Sequence, residues 1–212
     1  MIQSEKSWSE KSGPYHTKVS MGLLNLYLVT RKTRYLEVAK KLNIAYLKHK
    51  TNYGDFKSTK SSTNFHPFFY SLEGYWATSN IIKIKNLNKI LRKSLKWYLT
   101  KLKNKKLPRL RINKKFYYNE RIDIYAQTLR MISLLKINND QLKIDIVEQI
   151  LNYQIISKNK IENGSFSWGK YSDGKLSNHL NSWVTAFVLQ SFLLLVNKKA
   201  KKIIKSNPLF LV

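Results

Sequence analysis

Four stretches of the 212-residue chain gather side chains able to hold a ligand or move a proton. The richest, residues 65–77, reads F-H-P-F-F-Y-S-L-E-G-Y-W-A and sets Glu73, one of only twelve acidic residues, among aromatics. A helix starting near Pro67 places His66, Tyr70, Glu73 and Ala77 on one side, because steps of four, three and four residues return to the same face. That face is too polar for ordinary core and too aromatic for a solvated surface. It reads either as one wall of a cavity or as a buried carboxylate with a structural partner. A second stretch, E-R-I-D-I-Y-A-Q-T-L-R, puts Asp123, Gln127 and Arg130 at steps of four and three. Three polar groups in line on an otherwise apolar helix need partners, since an unpaired buried polar group costs about 1–3 kcal/mol. They line water, or Asp123 caps the helix and Arg130 ties two helices together. A third stretch carries Trp183, Phe187 and Gln190 on one face behind His179 and Asn181, and the remaining one, Y-H-T-K, holds His16 and Lys18. Three of the four histidines thus fall at predicted helix starts.

Two chemistries fit these residue types. Glu73 and Asp123, from different helices, can form a carboxylate pair for hydrolysis of a glycosidic bond, which needs one acid for the leaving oxygen and one base or nucleophile. Alternatively His16, His66 and His179 supply acid and base and abstract a proton next to a carbonyl, which is epimerase or lyase chemistry. In both cases Arg121, Arg130 and Lys18 are candidates to bind a uronate, sulfate or phosphate group. Tyr70, Gln127 and Asn181 complete the candidate binding set. Trp183, together with Trp168 on a loop rich in Trp, Tyr and Gly, offers faces on which a sugar ring stacks. There is no cysteine, no H-x-x-x-H pair and no phosphate-cradling glycine loop, so neither a metal nor a cofactor is expected.

The elements that must position these residues are helical. Residues 15–30 read as a mostly buried helix, and residues 34–50 as an amphipathic one with Leu36, Ala39, Leu42, Ala45, Tyr46 and Leu47 on its dry side. The same unit recurs at 67–82 with 87–103, at 120–135 with 141–156, and from 181 onward with a short lysine-rich helix at 197–205. First helices begin near 15, 66, 120 and 180, a steady period that marks a repeat architecture. An apolar helix alternating with an amphipathic one is what two concentric layers require. The expected fold class is therefore all-α, a partial α/α toroid of about four helical hairpins at residues 15–212, preceded by an N-terminal arm at 1–14. Its inner helices share one orientation and bring their starts to one mouth. Closed toroids usually use more hairpins, so the chain reads as a fragment, a reduced member, or half of a ring that an oligomer or a partner chain closes. The only strand-like piece, 164–171, suggests a small hairpin.

The formal charge is +27, yet only seven of the 39 basic residues are arginine. Specific phosphate or base recognition favours arginine forks, whereas lysine here is scattered over predicted outer faces. Nucleic acid is accordingly not the expected partner. No acid occurs between Glu73 and Glu120, however, and 83–115 is densely basic, so an anionic glycan, nucleic acid or membrane surface remains the alternative partner for that run. Residues 1–14 lack the apolar stretch of a secretory signal. The longest apolar run, 183–196, is interrupted by Gln190 and is too short for a bilayer. A cytoplasmic protein with no transmembrane segment is expected.

G-P-Y-H-T-K-V-S-M-G-L-L-N-L-Y at 13–27, H-P-F-F-Y-S-L-E-G at 66–74, R-I-D-I-Y-A-Q-T-L-R at 121–130, and G-S-F-S-W-G followed by N-H-L-N-S-W-V-T-A-F-V-L-Q at 178–190 together resemble the six-hairpin glycosidase-like α/α toroid proteins encoded among polysaccharide and surface-glycan assembly genes. The resemblance spans nearly the whole chain. It implies carbohydrate metabolism, with a saccharide as substrate, rather than one defined reaction. Residues 154–166 also resemble the repeats of terpene cyclases, but the acidic D-x-D-D run of those enzymes is absent. A non-catalytic module that binds an anionic glycan is the alternative to an enzyme.

Overall fold

The computed structural model describes residues 13–51, 54–56, 61–171 and 173–206. Residues 1–12 of the expected N-terminal arm lie outside that set. A 3-10 turn, Pro14–Lys18, leads into α1, Val19–Thr30, and the hairpin closes with α2, Thr33–Leu47. Arg31 takes a left-handed conformation at φ 58° and stops α1. Three further units follow: α3, Phe65–Ile81, with α4, Leu87–Leu99; α5, Ile122–Leu134, with α6, Asp140–Leu151; and α7, Ser182–Val196, with α8, Lys198–Ser206. Asparagines fix three starts. Asn64 accepts from the His66 N–H at 3.1 Å, Asn139 from Leu142 at 3.0 Å and Asn181 from Trp183 at 3.1 Å, each relieving an orphan donor of a first helical turn.

The odd-numbered helices pack in sequence, α1 on α3, α3 on α5 and α5 on α7, while α2, α4 and α6 cover them from outside. The burial patterns agree with this. Outer helix α4 buries Leu87, Leu91, Leu95 and Tyr98, one stripe at steps of four, four and three. Inner helix α5 is buried from Ile122 to Ser133 without interruption, because neighbours flank it on both sides and a third helix covers its back. Phe65, Phe68, Phe69, Leu72, Tyr75 and Trp76 make α3 the aromatic centre of the core. At the two ends of the arc, α1 exposes Val19, Leu26 and Val29, and α7 exposes Leu189, Leu193 and Val196. α8 turns back to touch α3 as well as α7, so it is not a simple outer cover for α7. Among the described residues no helix is long and apolar enough to cross a membrane.

Close approach is built into the α3 contact with the 3-10 turn. A Cβ at Gly74 would collide with the Thr17 carbonyl group. Thr17 Oγ1 donates to the Ser71 carbonyl at 3.2 Å, and Ser20 and Thr78 exchange a hydroxyl hydrogen bond at 3.2 Å.

A three-stranded sheet departs from the all-helical expectation. β1, Ser62–Asn64, pairs antiparallel with β2, Leu110–Ile112, and β2 with β3, Lys115–Tyr117. Each strand has three residues, too few for alternation to stand out in the sequence. The β2–β3 turn uses Asn113 at φ 53°, a role asparagine shares with glycine. The hairpin expected at 164–171 is not formed. Isolated bridges instead join Phe166 to Gln154 after α6, Gly169 to Arg121 at the start of α5, Ser167 to Leu180 ahead of α7, and Lys170 to Leu176 within the loop.

Candidate active site

Each of three inner helices offers the same stripe at steps of four and three. α3 carries His66, Tyr70 and Glu73, α5 carries Asp123, Gln127 and Arg130, and α7 carries Trp183, Phe187 and Gln190. Equal spacing on helices running the same way aligns the stripes in three layers. In the layer nearest the helix starts, His66 Nδ1 lies 2.8 Å from Asp123 Oδ2, and the His66 and Trp183 ring centroids are 5.6 Å apart. Arg121, immediately before α5, clasps Asp123 with Nε donating to Oδ1 at 3.1 Å and a terminal nitrogen donating to Oδ2. The Ile124 N–H adds a third donor at 2.9 Å. In the middle layer Tyr70 meets the His66 ring edge-on at 4.4 Å. Gln127 Oε1 is 3.1 Å from His66 Nδ1, and its buried Nε2 has no partner among the described residues. In the deepest layer Glu73 accepts from Lys18 Nζ at 2.7 Å and from Arg130. Arg130 also donates to Gln190 Oε1 at 2.7 Å and lies 4.3 Å over the Phe187 ring.

Burial pushes the Glu73 carboxyl up, but Arg130 and then Lys18 outweigh it and hold the group below the usual carboxylate range. Burial likewise acts upward on Asp123, and Arg121 followed by His66 overcomes it, bringing the group down to about 2. Both carboxylates are ionised at neutral pH and act only as acceptors. Tyr70 is pushed up to about 12 by burial, then by Glu73 and Asp123, so it keeps its phenolic proton. An ionised Asp123 facing Nδ1 orients the His66 ring and favours the hydrogen on that nitrogen.

His66, Tyr70, Glu73, Asp123, Gln127, Arg121, Arg130, Lys18 and Trp183 are therefore brought together. Trp168 joins them through Arg121, whose guanidinium lies 4.7 Å over its ring. The Trp168 N–H donates to the His179 carbonyl at 3.1 Å, and its carbonyl accepts from the Ile122 N–H at 3.1 Å, which ties the loop to the mouth. Several expected roles change. His16 turns to α2, with Nδ1 at 3.1 Å from the Tyr46 hydroxyl, and the exposed His179 contributes its backbone. Asn181 is spent capping α7. Arg121, Arg130 and Lys18 are engaged by Asp123 and Glu73, not held ready for an anion. Nor do Glu73 and Asp123 flank one bond. They belong to the deepest and outermost layers, seven residues apart in register, roughly 10 Å along the axes, and neither carries a proton to give. Arg109, which is not among the expected site residues, lies 5.1 Å over Trp168; its signal is the P-R-L-R-I-N-K-K-F-Y run that forms β2 and β3.

No protein-family model and no curated protein matches the sequence. Solved structures match by shape. An unsaturated glucuronyl hydrolase from Bacillus sp. GL1 superposes with a TM-score of 0.69 at 12% identity, over 88% of this chain and 59% of that one. A family 76 glycoside hydrolase from a bovine Bacteroides thetaiotaomicron strain gives 0.63 at 9% identity, over 97% and 49%. A polysaccharide lyase gives 0.59 at 11%, over 90% and 62%. The chain has the α/α toroid fold. It spans about three fifths of the first of these structures, and at such identities the likeness establishes the fold alone. Four hairpins of this toroid present the layered site at the gathered helix starts.

Proposed function

We propose that the protein is a carbohydrate-active α/α toroid that binds a saccharide at the mouth of the inner helices and moves a proton on it through His66. The observation that carries this reading is the Asp123–His66 contact at 2.8 Å, set beside the half-buried rings of Tyr70, Trp168 and Trp183. Aromatic faces beside polar side chains suit a sugar ring, and an imidazole oriented by a carboxylate suits acid–base work. Proteins of this fold described above include, by their names, glycoside hydrolases and a polysaccharide lyase, which supports a saccharide as the ligand. With Glu73 and Asp123 both ionised, proton transfer falls to the histidine, favouring lyase- or epimerase-like chemistry over hydrolysis by two carboxyls.

The test is a screen of oligosaccharides for cleavage or epimerisation, followed by His66→Gln and Asp123→Asn on whichever sugar reacts. Loss of a positioned acid or base costs on the order of 100- to 10,000-fold in kcat, with a small change in KM. A non-catalytic glycan-binding module is favoured by the enclosure of His66, which is 5% exposed. It predicts saturable binding with no turnover of any sugar and variants that change affinity alone.

A further inference from the structure

Four arginines lie on α5, just before it, or in and beside β2, and three are already engaged. Arg121 is clasped by Asp123, Arg130 by Glu73 and Gln190, and Arg111 by Asp55 at 2.7 Å. Arg109 differs. Its backbone is fixed, the N–H donating to the Tyr117 carbonyl at 2.8 Å and the carbonyl accepting from the Phe65 N–H at 3.0 Å. Its half-buried guanidinium lies over the Trp168 ring and makes no ion pair or hydrogen bond among the described residues. A guanidinium carries five N–H donors in a planar fork, and here a residue held by the β-sheet and the start of α3 leaves them all unused beside a tryptophan.

We infer that Arg109 is the specificity determinant of the mouth and binds an oxyanion substituent, a carboxylate or a sulfate, on the saccharide held beside Trp168. The inference rests on the saccharide reading above and adds the substrate class, an acidic glycan. Electrostatics agree. Burial, then repulsion from Arg121, lowers the Arg109 pKa, and Asp123 opposes this only in part because it is already held by Arg121 and His66. An anion across the fork relieves that repulsion and forms paired charge-assisted hydrogen bonds. Lysine, a point charge without the fork, does this less well.

The experiment compares binding of matched disaccharides that differ in one group, neutral, uronate or sulfated, to the full chain by calorimetry. Wild-type protein is expected to prefer at least one acidic form over the neutral sugar by about tenfold or more, the gain of one charge-assisted bidentate contact. Arg109→Gln collapses the preference, and Arg109→Lys retains part of it. Which acidic form wins separates carboxylate from sulfate. If wild-type protein binds the neutral and both acidic sugars equally, or if Arg109→Gln keeps the wild-type preference, the assignment of Arg109 is wrong while the saccharide reading stands. Binding of none of them overturns the saccharide reading and the inference with it.

Discussion

Replacing Glu73 by glutamine leaves Arg130, whose side chain is 0% exposed, without its carboxylate. Lys18 loses the same partner, but at 22% side-chain exposure it can reach water. Removing one member of a buried ion pair costs about 3–5 kcal/mol, because the survivor stays charged and desolvated. For a chain of this size that lowers Tm by roughly 6–20 °C. Arg130→Met is expected to cost a comparable amount by stranding Glu73 on Lys18 alone. In the double variant the fully buried charges are gone and only the partly exposed Lys18 is left without its carboxylate, so its loss falls short of the two single losses together by about 1–3 kcal/mol. Urea denaturation followed by circular dichroism measures all four corners of the cycle. Additivity within about 0.5 kcal/mol, or a Glu73→Gln variant with unchanged Tm, would refute the claim that Glu73 holds the inner helices together.

Asp123 sets the acid limit. Its pKa falls from 3.8 to about 2 on folding, so the stabilisation, about 2 kcal/mol, is complete above the unfolded value and lost as pH drops through the folded one; urea melts taken across that interval should weaken in wild type and flatten in Asp123→Asn. Gly74→Ala drives a methyl into the Thr17 carbonyl. The overpacking costs about 1–3 kcal/mol or more, seen as a lower Tm, whereas Gly22→Ala on α1, where nothing lies within 4 Å, should be near neutral or better.

The stripes at 66, 70 and 73, at 123, 127 and 130, and at 183, 187 and 190 were legible in the sequence because polar or aromatic residues recur at one helical face on otherwise apolar segments. Their pairing was not. Whether Arg130 meets Glu73 or a ligand depends on the relative register of two helices 57 residues apart, which no local pattern encodes. Position at a helix start also misled the reading of His16 and His179. It fixes height along the axis but not direction, and His16 turns outward to Tyr46. The sheet escaped notice because its strands are short and its turn lacks glycine, and with it went Arg109, which is placed by strand pairing rather than by any helix. The four hairpins themselves were readable from the alternation of apolar and amphipathic segments, since that alternation is the direct consequence of an inner and an outer layer.

A crystal structure of the protein with a bound oligosaccharide decides where the ligand sits. A sugar ring against Trp168 and Trp183, with one of its atoms within hydrogen-bond reach of His66, about 3 Å, is the predicted outcome. A sugar seated instead in the hollow of about 320 Å³ at the far ends of the inner helices, lined by Trp76, Asn80, Arg92 and Lys201, with the mouth empty, would contradict it.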